Sequence, residues 1–259
     1  MYTRCPTCGF GRTWKLADGR LKCRRCRLLF RRPLSVWNRY RLFESDKQKL
    51  LEYFVLGVPV FRARFRLPCS RRTAERFFRD ARRVLADEES QVHELSGNLE
   101  IDESAFGGAR KGKRGWGALG KVLVLGVYKR NGHVKVSIVP DRKYRTIIPL
   151  IEAQTKPGSL YFTDDYQAYG KLAVRGTHVV VQKEKGRPKG RDHVNGIEGF
   201  WSYAKHWLYQ YRGVHKKFFP LYLGEVSFRF NHRDEDLFPL VERLMKRSRP
   251  DAGGNVGTD

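Results

Sequence analysis

Two sets of side chains stand out by type and spacing. Cys5-Pro6-Thr7-Cys8 and Cys23-Arg24-Arg25-Cys26 form two CxxC pairs with residues 9–22 between them. That spacing suits a four-thiolate zinc site, in which each pair makes a tight knuckle and the intervening hairpin folds back to close a tetrahedron. The odd fifth cysteine, Cys69, argues against a disulfide framework. The second set is acidic. Asp102 lies in the alternating segment Leu99–Ser104, Asp164 ends the apolar run from Ser159 to Thr163, and Glu198 follows in a helical stretch. Carboxylates converging from separate elements are what two-metal phosphodiester chemistry requires, because Mg²⁺ or Mn²⁺ takes hard oxygen ligands and holds both attacking and leaving oxygens. Glu103 and Asp165 adjoin two of these acids. Neighbours in a strand point to opposite faces, so one of each pair is expected to be inert, and pattern alone does not say which.

The elements that would position these groups can be read in order. Residues 1–32 form the zinc ribbon: Trp14, Leu16 and Leu21 alternate around the turn Asp18-Gly19, and Arg20, Lys22, Arg24, Arg25 and Arg27 offer a basic face. Residues 33–92 suggest a helix-turn-helix. Leu50, Leu51, Phe54 and Val55 mark one helix face, Gly57-Val58-Pro59 breaks it, and Val60 to Phe65 is expected to be a short second helix. Ser70 would cap a third helix, burying Phe77, Phe78, Ala81, Val84 and Leu85, with Arg71, Arg72, Arg76, Arg79, Arg82 and Arg83 on its solvated side. Arg71, Arg72 and Arg76 are candidate DNA contacts.

Residues 93–249 are long enough for a substantial core. Strands at Leu99–Ser104, Lys121–Tyr128 and His133–Val139 make a meander, with a hairpin at Asn131-Gly132. A helix at Tyr144–Ala153, strands at Ser159–Thr163 and Thr177–Gln182, and a helix from near His193 through Tyr209 follow. This is the element order of a ribonuclease-H-like α/β fold with a mixed sheet. The glycine-rich stretch from Gly107 to Gly117 lacks nucleotide-loop spacing. Lys183, Lys185, Arg187, Lys189 and Arg191 form a basic loop expected over the DNA path, and residues 250–259 read as a disordered tail.

Three ordered motifs sharpen the reading: Asp102-Glu103-Ser104-Ala105-Phe106-Gly107-Gly108, Thr163-Asp164-Asp165-Tyr166-Gln167-Ala168-Tyr169, and His193-Val194-Asn195-Gly196-Ile197-Glu198-Gly199-Phe200-Trp201-Ser202-Tyr203-Ala204-Lys205. With the tail Phe228-Arg229-Phe230-Asn231-His232-Arg233 and the ribbon, nearly the whole chain resembles the ISXO-like DDE transposases of bacterial insertion sequences. The resemblance implies metal-dependent cleavage at element ends and joining to target DNA, with Asp102 and Asp164 as the first two acids. Members carry Asn, Glu or His at the third position, and Asn195, Glu198 and His193 all lie near it. Asn195, Glu198, Ser202 and Lys205 share one helix face, with Lys205 set to meet a phosphate. Glu198 is favoured as ligand because an anionic oxygen binds Mg²⁺ better than a carboxamide. Asn195 is the alternative.

Composition agrees. Lys and Arg number 52 against 27 Asp and Glu, a net charge of +25, which favours a polyanion, double-stranded DNA first. At 41% hydrophobic and 13% aromatic residues the chain is too apolar for disorder. The longest apolar run, Val122–Tyr128, is far short of the roughly 20 residues of a membrane span, and the start lacks a signal-peptide core, so a cytoplasmic, nucleoid-associated protein is expected. Pairing terminal inverted repeats with target DNA implies a homo-oligomer assembled on DNA. Two rivals remain at this level: a nuclease of the same fold that cuts without joining, and a zinc-ribbon DNA-binding regulator whose acids are ordinary surface residues.

Overall fold

The computed structural model describes residues 4–31, 34–91, 93–107, 121–165, 167–181, 193–211 and 213–249. The basic loop with Lys183, Lys185, Arg187, Lys189 and Arg191, the glycine-rich stretch beyond Gly107 and the tail 250–259 lie outside the described residues.

The ribbon is a three-stranded antiparallel sheet of β1 (Thr13–Lys15), β2 (Leu21–Cys23) and β3 (Leu29–Phe30). Its two knuckles repeat one hydrogen-bond pattern. Cys5 N–H donates to Phe10 O and Gly9 N–H to Cys5 O; Cys23 N–H donates to Leu28 O and Arg27 N–H to Cys23 O. The residue after each pair therefore turns left-handed, with φ of 69° at Gly9 and 62° at Arg27. Only glycine takes that angle without cost, so the second knuckle stores a little strain that ligand geometry must hold.

Helices α1 (Glu44–Val55) and α2 (Arg71–Ser90) follow, and Ser70 caps α2 by accepting from Thr73 N–H at 3.2 Å. The predicted middle helix does not form; residues 60–66 are successive turns. The connection from Leu56 to Ser70 is accordingly much longer than the roughly three- or four-residue turn of a compact helix-turn-helix. Arg82, expected on the solvated side of α2, is 5% exposed. It pairs with Glu225 at 2.6 Å, and Glu225 also accepts from Arg229 at 3.0 Å. Arg229 in turn donates to Phe54 O and Val55 O, closing the carbonyl end of α1. A helical wheel could not show this burial, because the helix that covers Arg82 lies far along the chain.

The second sheet contains β4 (Asn98–Phe106), β5 (Val122–Lys129), β6 (Val134–Val139), β7 (Leu160–Thr163) and β8 (Thr177–Val180), ordered β6-β5-β4-β7-β8. β4, β5 and β6 pair antiparallel, whereas β4–β7 and β7–β8 are parallel. The turn between β5 and β6 places Asn131 at φ 57°, as an Asn-Gly hairpin requires. Helix α3 (Tyr144–Gln154) and a 3₁₀ segment at Gln167–Val174 cover one face over Leu99, Ile101, Leu125 and Tyr161. Helices α4 (Asn195–Tyr209) and α5 (Phe219–Asn231) cover the other over Val124, Tyr128 and Phe162. The fold is a ribonuclease-H-like mixed sheet preceded by a zinc-ribbon module and helices. α5 and α6 (Leu237–Arg247) also contribute Phe228, Val241, Leu244 and Met245 to the core of α1 and α2, so the helical region and the sheet domain share packing.

At that junction Asn231 accepts from Val134 N–H at 2.8 Å and donates to Val134 O and to Glu89 at the end of α2. Burial pushes the Glu89 carboxyl up to about 7, against the lowering effect of the Asn231 hydrogen bond and with a further push from Glu88. A carboxyl raised on folding holds its proton more tightly in the native state, so stability is lost as pH rises from its ordinary value of 4.5 to about 7. Urea unfolding at pH 5 and pH 8 should show the wild type losing about 2 kcal/mol more than Glu89→Gln over that interval. Identical pH slopes for the two proteins would refute the assignment.

Candidate active site and metal centre

The central strand β4 is covered on both faces, and its acids divide between them. Glu100 and Asp102 face α4; Glu103 faces α3 and the 3₁₀ segment. Glu100 is fully buried, accepting from Arg130 Nε at 2.7 Å and from Ile197 N–H at 2.9 Å. A carboxylate at that first turn meets the positive end of the helix and satisfies one of its orphan donors. Gly196 makes this docking possible: a Cβ there would lie 2.2 Å from the Tyr128 ring and 2.9 Å from the Glu100 carboxylate. Two residues on, Asp102 is half-buried and accepts from Trp201 Nε1 at 3.1 Å. Thus α4 is pinned to β4 by one carboxylate at its N-terminus and another a turn later.

This docking opens a cleft of about 600 Å³ lined by Asp102, Glu103, Ser104, Ala105, Lys121, Glu198, Trp201, Ser202 and Lys205. The expected helix face is present, since Asn195, Glu198, Ser202 and Lys205 are all exposed while Ile197, Phe200, Trp201 and Ala204 are buried. Asp102, Glu198 and Lys205 therefore share one cleft. Asn195, at the first residue of α4, and Asp164 are not among its lining residues.

Asp164 follows β7, which runs parallel to β4 with Phe162 opposite Glu100. Its Oδ2 is 4.0 Å from Arg142, whose guanidinium also donates to Glu103 at 2.9 Å. Burial raises the Tyr169 phenol well above its ordinary value, and Glu103, Asp102 and Asp164 push it further, so all three carboxylates bear on one ring. Glu103 is 2% exposed and ion-paired, because the opposite face of a central strand is also interior. Asp165 is exposed. Trp201 is buried and also touches Asp102 through its indole N–H.

The fit of a divalent cation can be judged from oxygen atoms. Asp164 Oδ1 is buried without a hydrogen-bond partner, which is costly for a carboxylate and is relieved by a hard cation. Yet among the described residues the four thiols are the one group of potential ligands gathered closely enough to hold an ion; Asp102, Asp164 and Glu198 are not drawn together to that degree. In the ribbon the Sγ atoms of Cys5, Cys8, Cys23 and Cys26 all lie within 4.8 Å, with Cys5–Cys26 at 3.4 Å and Cys8–Cys23 at 3.6 Å. A tetrahedron with Zn–S bonds of about 2.3 Å has edges of about 3.8 Å, so the four-cysteine cluster can hold a zinc ion.

Arg71, Arg72 and Arg76 are exposed on the first half of α2, Arg71 pairing with Glu75 at 2.7 Å. Sequence reasoning missed Glu100, Arg142 and Tyr169. Glu100 had a signal, an acid two residues before Asp102 and hence on the same face of an otherwise apolar strand. Tyr169 had only its place at the end of the second motif, and Arg142 had no signal, since its partner Glu103 is remote in sequence.

The sheet order, with Asp102 midway along central β4, Asp164 just past the end of parallel β7 and Glu198 on the helix packed against β4, defines a ribonuclease-H-like protein. The sequence model of the ISXO2-like transposase domain matches residues 94–231, and the chain belongs to that family. An uncharacterized transposase-like protein of Haemophilus influenzae is 31% identical over 113 residues, which cover 43% of this chain and 92% of that protein.

Proposed function

We propose that this protein is a DNA transposase of the DDE type, cleaving phosphodiester bonds at insertion-sequence ends and joining the freed 3′-ends to target DNA. The observation that carries the reading is the cleft in which Asp102, Glu198 and Lys205 meet, with Asp164 at the adjoining strand end, in a chain of a transposase family. Asp102, Asp164 and Glu198 would hold Mg²⁺ or Mn²⁺, with Asn195 as the alternative third residue. Bound there, the metal supplies an activated water and offsets charge on the scissile phosphate. The chain's own groups do the positioning. Trp201 N–H orients the Asp102 carboxylate, Glu100 fixes the start of α4 and so the placement of Glu198, and Arg142 braces Asp164 and Glu103. Lys205, one turn beyond Ser202 on the cleft face, would bind a non-bridging phosphate oxygen. Zinc on Cys5, Cys8, Cys23 and Cys26 would hold the ribbon's basic face. Arg71, Arg72 and Arg76 together with the 183–191 loop would track the DNA backbone, and two or more protomers would assemble on the paired ends. Among the described residues no helix is long and apolar enough to cross a membrane.

The test is a plasmid carrying the gene's own flanking DNA, incubated with purified protein and Mg²⁺ or Mn²⁺, with breaks and joined products mapped to the nucleotide. Wild type should cut at the element boundary and join, and Asp164→Asn should lose both while still binding DNA. Boundary cuts without joined products would favour the nuclease, and tight binding with equal, negligible cleavage by both proteins would favour a regulator.

A further inference from the structure

Between α1 and α2 the chain exposes Phe61-Arg62-Ala63-Arg64-Phe65-Arg66, a segment that neither the cleft nor the ribbon uses. Phe65 is 83% exposed and Phe61 40%. Arg64 lies 4.4 Å above the Phe65 ring and Arg62 5.8 Å above that of Phe61. All three arginines are exposed, and no Asp or Glu occurs between Glu52 and Glu75. The segment is nonetheless tied down. Val60 and Ala63 are buried, Arg62 and Ala63 N–H donate to Pro59 O, Arg66 N–H donates to Ala63 O, and Tyr53 Oη donates to Arg66 O. Gly57, at its base, sits so close to Trp207 of α4 that a Cβ would lie 2.3 Å from the indole. The platform is thus braced against the helix that carries Glu198 and Lys205.

We infer that this segment is a stacking platform for an unpaired base of bound DNA, with Phe65 as the stacking ring and Arg62, Arg64 and Arg66 on the flanking phosphates. The inference rests on the transposase reading and adds a preference for locally unpaired DNA. A ring held in water with one guanidinium against it, and two more exposed on the same short segment, calls for a partner that is both flat and anionic. Paired DNA offers phosphates but keeps its base faces stacked. A second copy of this chain would bring like charges together on a protein already at +25. Strand breakage and joining at an element end create the frayed bases that such a ring could hold.

The experiment uses the full chain and two oligonucleotide duplexes of the same flanking sequence, one fully paired and one with a short unpaired stretch carrying 2-aminopurine. Wild type should bind the unpaired duplex about tenfold more tightly and quench the 2-aminopurine through stacking. Phe65→Ala, at an exposed position where folding is not at stake, should lose the preference and the quenching yet bind paired duplex as before; Phe65→Trp should keep both. A triple Arg62, Arg64, Arg66→Ala variant should weaken binding to both duplexes and flatten the salt dependence. Preference or quenching retained in Phe65→Ala overturns the inference, as does loss of DNA-free self-association in that variant with DNA binding unchanged. Wild-type binding to both duplexes without preference refutes the platform alone. Binding to neither refutes the transposase reading with it.

Discussion

Asp102→Asn should lower cleavage and joining by about a thousandfold with little change in stability, whereas Glu103→Ala one residue away should act through the fold. The contrast follows from the pleat. Asp102 opens on the cleft with Glu198 and Lys205, is half-buried, and keeps its Trp201 contact when an amide oxygen replaces the carboxylate oxygen. What the amide loses is the negative charge proposed to bind the divalent cation. Glu103 also lines the cleft, but its side chain is 2% exposed and held by Arg142, and removing it leaves that guanidinium with the longer 4.0 Å contact to Asp164. Breaking a buried ion pair by deleting one partner costs roughly 3–5 kcal/mol, and the lower end applies because Arg142 retains some solvent contact. Urea denaturation and the boundary-cleavage assay on both variants separate the effects. An Asp102→Asn protein that still cuts, or a Glu103→Ala protein as stable as wild type, would break the argument.

Removing zinc should unfold the ribbon and leave the second sheet intact. The ribbon's strands are only two or three residues long and its interior is little more than the cysteines themselves, with Cys5 and Cys23 buried. So small a unit cannot bury enough apolar surface to stand alone, and the apparent zinc contribution of about 10–16 kcal/mol known for such sites supplies the difference. The ligand chemistry is prepared in the backbone. Burial pushes the Cys23 thiol up, but the N–H groups of Cys26 and Arg25 and the neighbouring Cys8 outweigh it and bring the group down to about 6. At Cys26, by contrast, the Leu28 N–H is outweighed by the neighbouring thiols, Cys5 first, and by burial, which push it up to about 12. Elemental analysis should find one zinc per chain, and Cys23→Ser or chelation should release it. Hydrogen exchange should then show the amides of Cys5, Cys23 and Arg27 losing protection while those of β4 and β5 keep theirs, because the latter belong to a core with no cysteine in it. Protein purified without zinc whose ribbon amides are protected all the same would exclude a structural metal.

Both outcomes turn on the range over which residues act. The CxxC spacing, the Asn131-Gly132 turn, the strand at β4 and the exposed Asn195-Glu198-Ser202-Lys205 face were all legible in the sequence, because each depends on neighbours within a few positions and on the fixed periods of helix and strand. The element order was legible for the same reason, and with it the sheet domain. The middle helix between α1 and α2 was misread. Arginines and phenylalanines at helical spacing say nothing about whether a second apolar surface exists to receive them, and here Phe61 and Phe65 remain in water.

The sequence by itself determined the four-cysteine cluster, the strand that carries Asp102 and the family to which its motifs belong. Tertiary structure alone decided which acids became interior and what they touch. Glu100 meets Ile197 across 97 residues and Arg82 meets Glu225 across 143, while Glu103 finds Arg142 beyond two intervening strands. No local period carries such pairings. They exist because desolvating a charge is costly unless a partner arrives with it, and that partner is chosen by how the sheet and helices close over one another.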